Sequence, residues 1–254
     1  MSNSFKKWWT YRRYHLVFNV PALLGLAFWP GGSEFTATSW VILGILFLIV
    51  MVFTSPWDNH AVACGLWDFP QEKIWFRIKH LPVEEYAFFL LQTTAAVWLM
   101  HRLQPVFSDI GLAENWALDQ PGVLLLLGLW AVAFLGLGLW GRNRIGKHSR
   151  CHYAWHLLYW FGAIIAVQWI VAGPLLWDAL PLLFTVAFGL GLYYSLSDLL
   201  AIYANIWFFD HKQTTGHRIG GIMPWEEAAF FVLTSLLVAQ SYWIMLPSPL
   251  RAGG

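Results

Sequence analysis

Apolar residues run through this chain in blocks of about twenty, separated by shorter polar stretches. Neither the two-residue alternation of a half-buried strand nor the single apolar stripe of a surface helix is present. The blocks cover residues 14–30, 38–56, 83–101, 121–140, 153–173, 178–197 and 225–246. A helix of about 20 residues crosses a hydrocarbon core of about 30 Å. The pattern therefore predicts an all-α integral membrane protein with seven transmembrane helices, the first interrupted by Pro21. The semi-polar stretches 57–81 and 198–223 are expected to carry interfacial helices.

Composition strengthens that reading. The chain is 58% hydrophobic and 11% charged, with a mean hydropathy of +0.54, whereas soluble domains carry about 25% charged residues. Eighteen tryptophans suit interfacial belts and an aromatic-lined cavity. Two cysteines, Cys64 and Cys151, make no disulfide framework. No small-residue cleavage pattern follows the basic N-terminal stretch, so no removable signal peptide is expected.

The net charge of +1 matters less than its distribution. The N-terminus and the 2–3, 4–5 and 6–7 connections hold Lys6, Lys7, Arg12, Arg13, Lys73, Arg77, Lys79, Arg142, Arg144, Lys147, Arg150, Lys212 and Arg218. That is 13 of the 15 basic residues, leaving Arg102 and Arg251 for the other side. The positive-inside rule puts the N-terminus in the cytoplasm and the C-terminus outside, in a multi-pass protein of the cell's inner membrane. Basic residues at such positions set topology and touch lipid head groups; no nucleic-acid partner is expected.

An internal repeat is visible. Asp58, Trp67, Pro82, Glu84, Glu85, Phe88 and Phe89 recur as Asp198, Trp207, Pro224, Glu226, Glu227, Phe230 and Phe231. The offset is 140 residues at Asp and Trp and 142 at the later motif. Spans 1–3 and 5–7 thus form a 3+1+3 tandem parallel repeat: a first repeat over 1–115, a linking span over 116–145 and a second repeat over 146–254. With an odd span between them, the repeats share one orientation, related by an axis along the membrane normal. Six carboxyl groups are then expected at one membrane level.

A Pro-x-Glu-Glu segment is by itself a good helix start, because proline suits the first turn and acids complement the positive helix end by about 0.3–1 kcal/mol each. Its recurrence, each time with an aspartate upstream, favours chemistry over capping. Burial and a neighbouring like charge both favour the neutral form of a carboxylic acid. A cluster can therefore hold a protonated acid beside an ionised partner, as is needed to protonate an unactivated alkene and later remove a proton. Aromatic faces stabilise a desolvated cation by about 2 kcal/mol or more. At helical spacing Phe88 and Phe89 lie over Glu84 and Glu85, and Phe230 and Phe231 over Glu226 and Glu227.

The stretches TSPWDNHAVACGLWDF (54–69), LPVEEYAFFLLQT (81–93) and SDLLAIYANIWFFDHKQTTGHRIGGIMPWEEAAFFVLTSLLVAQ (197–240) carry a resemblance. The chain is similar to the small membrane-bound lycopene cyclases, found as two subunits in some actinobacteria, as fused chains in archaea and other bacteria, and as the cyclase half of a fungal fusion with phytoene synthase. The resemblance covers roughly 14–101 and 150–246. It implies non-redox cyclisation of the ψ ends of lycopene to β-ionone rings, through γ-carotene to β-carotene, with no cofactor. Carried over by position, it implies catalytic roles for Asp58, Glu84, Glu85, Asp198, Glu226 and Glu227. Trp57, Trp67, Phe88, Phe89, Trp207, Trp225, Phe230 and Phe231 are the candidate substrate-binding aromatics. The second half reads Ser-Asp-Leu where the first reads Trp-Asp-Asn, so the halves are expected to be inequivalent.

Other signals carry less. Gly136-Leu137-Gly138-Leu139-Trp140-Gly141 fits a dinucleotide fingerprint but lies at the end of an apolar span with no strand before it. His148, His152 and His156 are spaced four apart, yet the other histidines form no matching cluster, and no metal site is expected. A retinal protein needs a lysine within the last span, and 225–246 has none. A small 3+1+3 transporter would want polar breaks at mid-membrane, where only Asn19 and Pro21 stand. A carotenoid-binding scaffold would share the aromatic residues but would have no use for the carboxylates. A hydratase, or an ε-ring or C50 cyclase, would begin with the same acid.

Overall fold

The structure, a computed structural model, describes residues 3–107, 120–146 and 149–251. The expected boundary at 115/116, Lys147 and His148 lie outside them. Among the described residues, five helices are long and apolar enough to cross a membrane: Ala37–Ala63, Pro121–Arg144, His152–Asp178, Leu180–Tyr203 and Trp225–Met245. The chain is accordingly a multi-pass, helical membrane protein. Two more helices fill positions read from sequence as spans. The first runs over 11–27 through a π turn at His15–Asn19 and is the shorter. The second, Val83–Leu103, carries Glu84 and Glu85 in its first turn and His101 and Arg102 in its last.

The expected interfacial helices do not form. The Ala37–Ala63 helix continues past Asp58, and Leu180–Tyr203 past Asp198. Beyond them the chain folds into short hairpins, because turn-forming residues interrupt any helical period. Arg77–Ile78 pairs with Leu81–Pro82, and Arg218–Ile219 with Met223–Pro224. Lys79 takes a positive φ in the first turn, while Gly220 and Gly221 do so in the second, which is one residue longer. Part of the drift in repeat offset from 140 to 142 is thus a longer turn. Trp67–Asp68 pairs antiparallel with Phe208–Phe209 and ties the two halves together.

Contacts sort the connections onto two ends of the bundle. At one end Lys73 Nζ donates to the carbonyls of Lys6 and Trp9, and Gln213 Nε2 donates to those of Cys64 and Gly65. At the other, Arg102 donates to the carbonyls of Leu26, Ala27 and Gly31, and Gln104 to those of Leu250 and Arg251. The buried core lies mainly among 37–63, 83–103, 180–203 and 225–245. The Pro121–Arg144 helix is largely exposed, as a lipid-facing helix must be.

Candidate active site

Both Pro-x-Glu-Glu motifs form the junction from hairpin to helix, with Pro82 and Pro224 as the last extended residues. Adjacent helical residues point about 100° apart, so the two glutamates of each pair part company. Glu84 Oε1 accepts the amide of Trp75 at 2.9 Å, and Glu226 Oε1 accepts that of Thr215 at 2.7 Å. These glutamates fasten the preceding loops to the helix starts.

Glu85 and Glu227 turn instead into a shared pocket, together with Asp58. Asp198 is fully buried beside them. The sequence placed six carboxyl groups at one level; the geometry brings four together. Tyr11 donates to Glu85 Oε2 at 2.7 Å, and Tyr153 donates to Glu227 Oε2 at 2.5 Å. The two tyrosines lie outside the recurring motifs, yet they stand 142 residues apart, the same offset as the glutamates they bond. Trp207 Nε1 donates to Asp198 Oδ1 at 2.7 Å, and Trp67 is the counterpart partner of Asp58. The nine-residue Asp-to-Trp spacing therefore encodes a hydrogen bond across the turn at the end of each helix.

The pocket wall is aromatic and draws on both halves. Tyr11 packs 5.0 Å from Trp207 and stacks on Phe69 at 5.8 Å; Tyr153 packs 5.4 Å from Trp67 and stacks on Phe209 at 6.1 Å. Phe88, Phe230 and Phe231 close the membrane side. Trp57 lies behind them, stacked on Phe230 at 5.6 Å. Two candidate aromatics fall elsewhere. Phe89 faces a neighbouring apolar groove, and Trp225 is 41% exposed, its indole donating to Thr215 Oγ1.

The four acids interact electrostatically. Asp58 feels Glu85 and Glu227, while Glu227 feels Asp198 and Glu85. Among the described residues no basic side chain lines their pocket, and the Arg77–Asp68 ion pair at 2.9 Å lies outside it. Asp58 Oδ1 and Asp198 Oδ2 have no hydrogen-bond partner among the described residues. An isolated ionised carboxylate is very costly to bury without a partner. The cavity is about 40 Å³, against about 10–15 Å³ needed to hold one water.

The histidines make other contacts. His156 Nε2 lies 2.9 Å from His152 Nε2, and His152 Nδ1 lies 2.6 Å from Gln213 Oε1. The described residues contain no group of three or more metal-ligating side chains placed to hold an ion.

Comparison with known proteins adds names to this geometry. The chain is 27% identical over 201 residues to a lycopene beta-cyclase of Halobacterium salinarum, covering 78% of this chain and 79% of that protein. It is 28% identical over 240 residues to a bifunctional lycopene cyclase/phytoene synthase of Pyrenophora tritici-repentis, and 28% identical over 245 residues to one from Neurospora crassa. Those alignments cover 90% of this chain but 40% and 38% of the fungal proteins. No family profile matches the chain, and no solved structure is significantly similar to it.

Proposed function

We infer that this chain is a membrane-bound lycopene β-cyclase. The observation that carries the reading is the meeting of Glu85, Glu227, Asp58 and Asp198, drawn from both halves, in an aromatic pocket with no countercation among the described residues. Together with the lycopene cyclase relatives, it supports an enzyme that closes rings by moving protons.

One of the Glu85–Glu227 pair, protonated, donates to C2 of the terminal C1=C2 bond. The resulting C1 cation is attacked by the C5=C6 bond, so that C6 joins C1 and the charge moves to C5. The other glutamate, ionised, takes the proton from C6 and leaves the β double bond at C5=C6. One proton enters, one leaves, and no electron is exchanged. The Tyr11 and Tyr153 hydroxyls fix one oxygen of each glutamate and leave the other for the substrate. Phe88, Phe230 and Phe231 shield the cation from water and present their ring faces to it. Asp58 and Asp198, each held by its tryptophan, place further carboxyl groups beside the reacting glutamates. Glu84 and Glu226 act by holding the loops that position their neighbours.

The substrates are lycopene and then γ-carotene, both dissolved in the bilayer. The matching hydrogen bonds in each half support a repeat over 1–115 and 146–254 joined by a span within 116–145. On this reading 11–27 and Val83–Leu103 are also spans, which completes a seven-helix 3+1+3 arrangement. The active site faces the cytoplasmic side of the inner membrane, as the basic-residue asymmetry requires.

Expression in a bacterium that accumulates lycopene tests the assignment. The expected pigment has lycopene's mass and co-elutes with γ-carotene or β-carotene. A product heavier by one water identifies a hydratase, an ε-ring standard identifies another cyclase, and unchanged lycopene with the chain present in the membrane removes the reading.

A further inference from the structure

A second cavity, about 160 Å³, lies in a groove between the helices Ala37–Ala63, Val83–Leu103, His152–Asp178 and Trp225–Met245. Phe230 lines both this groove and the acid pocket. From Phe230 the groove follows its helix to Ser241, a rise of about 16 Å, away from the acids and into the membrane. Most of its polar side chains are already bonded. Thr93 donates to the Phe89 carbonyl at 2.7 Å, Thr234 to that of Phe230 at 2.8 Å, and Gln92 to Thr234 at 2.9 Å. What remains to line the channel is hydrocarbon, suited to a long apolar chain and unsuited to a polar solute.

The repeat should produce a second groove on the opposite flank, beside Phe88. There the chain differs. At the offset that pairs Asp58 with Asp198, Thr54 of the groove corresponds to Tyr194. The Tyr194 ring is buried, 5.4 Å from Phe88 and 5.7 Å from Phe231, and occupies the space a chain would need. Met51 corresponds to Gly191, where an added Cβ would come within 2.4 Å of Val232. The helices Leu180–Tyr203 and Trp225–Met245 are therefore in closer contact than their first-half counterparts.

We propose that the groove beside Phe230 holds the polyene of the substrate and is the one way into the acid pocket, its repeat-related counterpart being sealed by Tyr194. The two ends of lycopene are then cyclised in turn through the same opening, with release and reversal between them. The four acids form one composite site rather than two. The proposal rests on the cyclase reading above.

Thr54→Tyr copies the sealed flank into the open one, and Ser241→Trp obstructs the groove farther along. Val52→Tyr adds the same bulk as the first variant at a position of that helix that is 72% exposed. In the lycopene-accumulating strain, T54Y and S241W are expected to lose γ-carotene and β-carotene together, while V52Y matches the unaltered chain. Lycopene co-purifying with the solubilised protein supplies a readout on recovered chain alone: it should be lost from T54Y and kept by Glu227→Gln. Persistence of cyclised product in T54Y and S241W, or of bound lycopene in T54Y, overturns the single opening. If the unaltered chain leaves lycopene unconverted, the cyclase reading falls instead, and the two failures are told apart by that control.

Discussion

Glu85→Gln and Glu227→Gln are each expected to lower cyclisation by about 10²–10⁴-fold, the usual contribution of a positioned proton-transfer group. Glutamine fills the same volume and still accepts the hydrogen bond that Tyr11 or Tyr153 donates, so folding should survive. It can neither deliver nor remove the reacting proton. If the two glutamates serve one reaction from opposite sides of a composite pocket, as proposed, the double variant should be little worse than either single one, as for groups that act as a unit. Glu84→Gln and Glu226→Gln form the contrast. Each keeps the side-chain oxygen that accepts from Trp75 or Thr215, and each should retain most of its turnover. Pigment conversion per unit of membrane-embedded chain distinguishes the pairs. Equal losses in all four would mean that the motif serves folding rather than chemistry.

Phe230→Leu is expected to reduce turnover by about 30-fold, the equivalent of about 2 kcal/mol of cation stabilisation in a desolvated site. Leucine keeps an apolar side chain but has no ring face to offer C1 or C5. Phe230 is held by Trp57 at 5.6 Å, Phe161 at 5.7 Å and Phe231 at 5.4 Å, so its orientation is set by its neighbours. Phe230→Tyr keeps the π face and should recover much of the rate. Initial rates at saturating lycopene in proteoliposomes check the pair. If the leucine and tyrosine variants behave alike, the residue fills space and does not stabilise charge.

Much of this arrangement was legible in the sequence, and what was missed has physical causes. The apolar blocks located the helices, since burial in lipid demands long uninterrupted runs. Recurrence of Asp, Trp and Glu-Glu marked residues that converge at the candidate site. Adjacency misled in the glutamate pairs: neighbours in a helix diverge, and only the fold-back of the preceding loop shows that Glu84 and Glu226 meet backbone amides. The hairpins were misread as helical because strands of two residues have no period to detect. Tyr11 and Tyr153 were overlooked because their surroundings differ, although carrying the 142-residue offset to the start of each half would have found them. Phe69 and Phe209 were likewise marked by the 140-residue offset. Tyr194 could not be recognised as a plug from its own residue type. Its role emerges from comparison with Thr54 and from the close helix approach at Gly191.

Ring closure on this reading begins with a proton given by an exchangeable group of this pocket and ends with one taken up by another. Cyclisation by the membrane-embedded chain in D2O is the experiment that follows. The donated proton comes from a carboxyl group that exchanges with solvent, and the proton removed is the original hydrogen at C6. Mass spectrometry of the product should therefore show one deuterium gained for each ring formed, located at C2. A cyclised product that carries no deuterium would contradict the account.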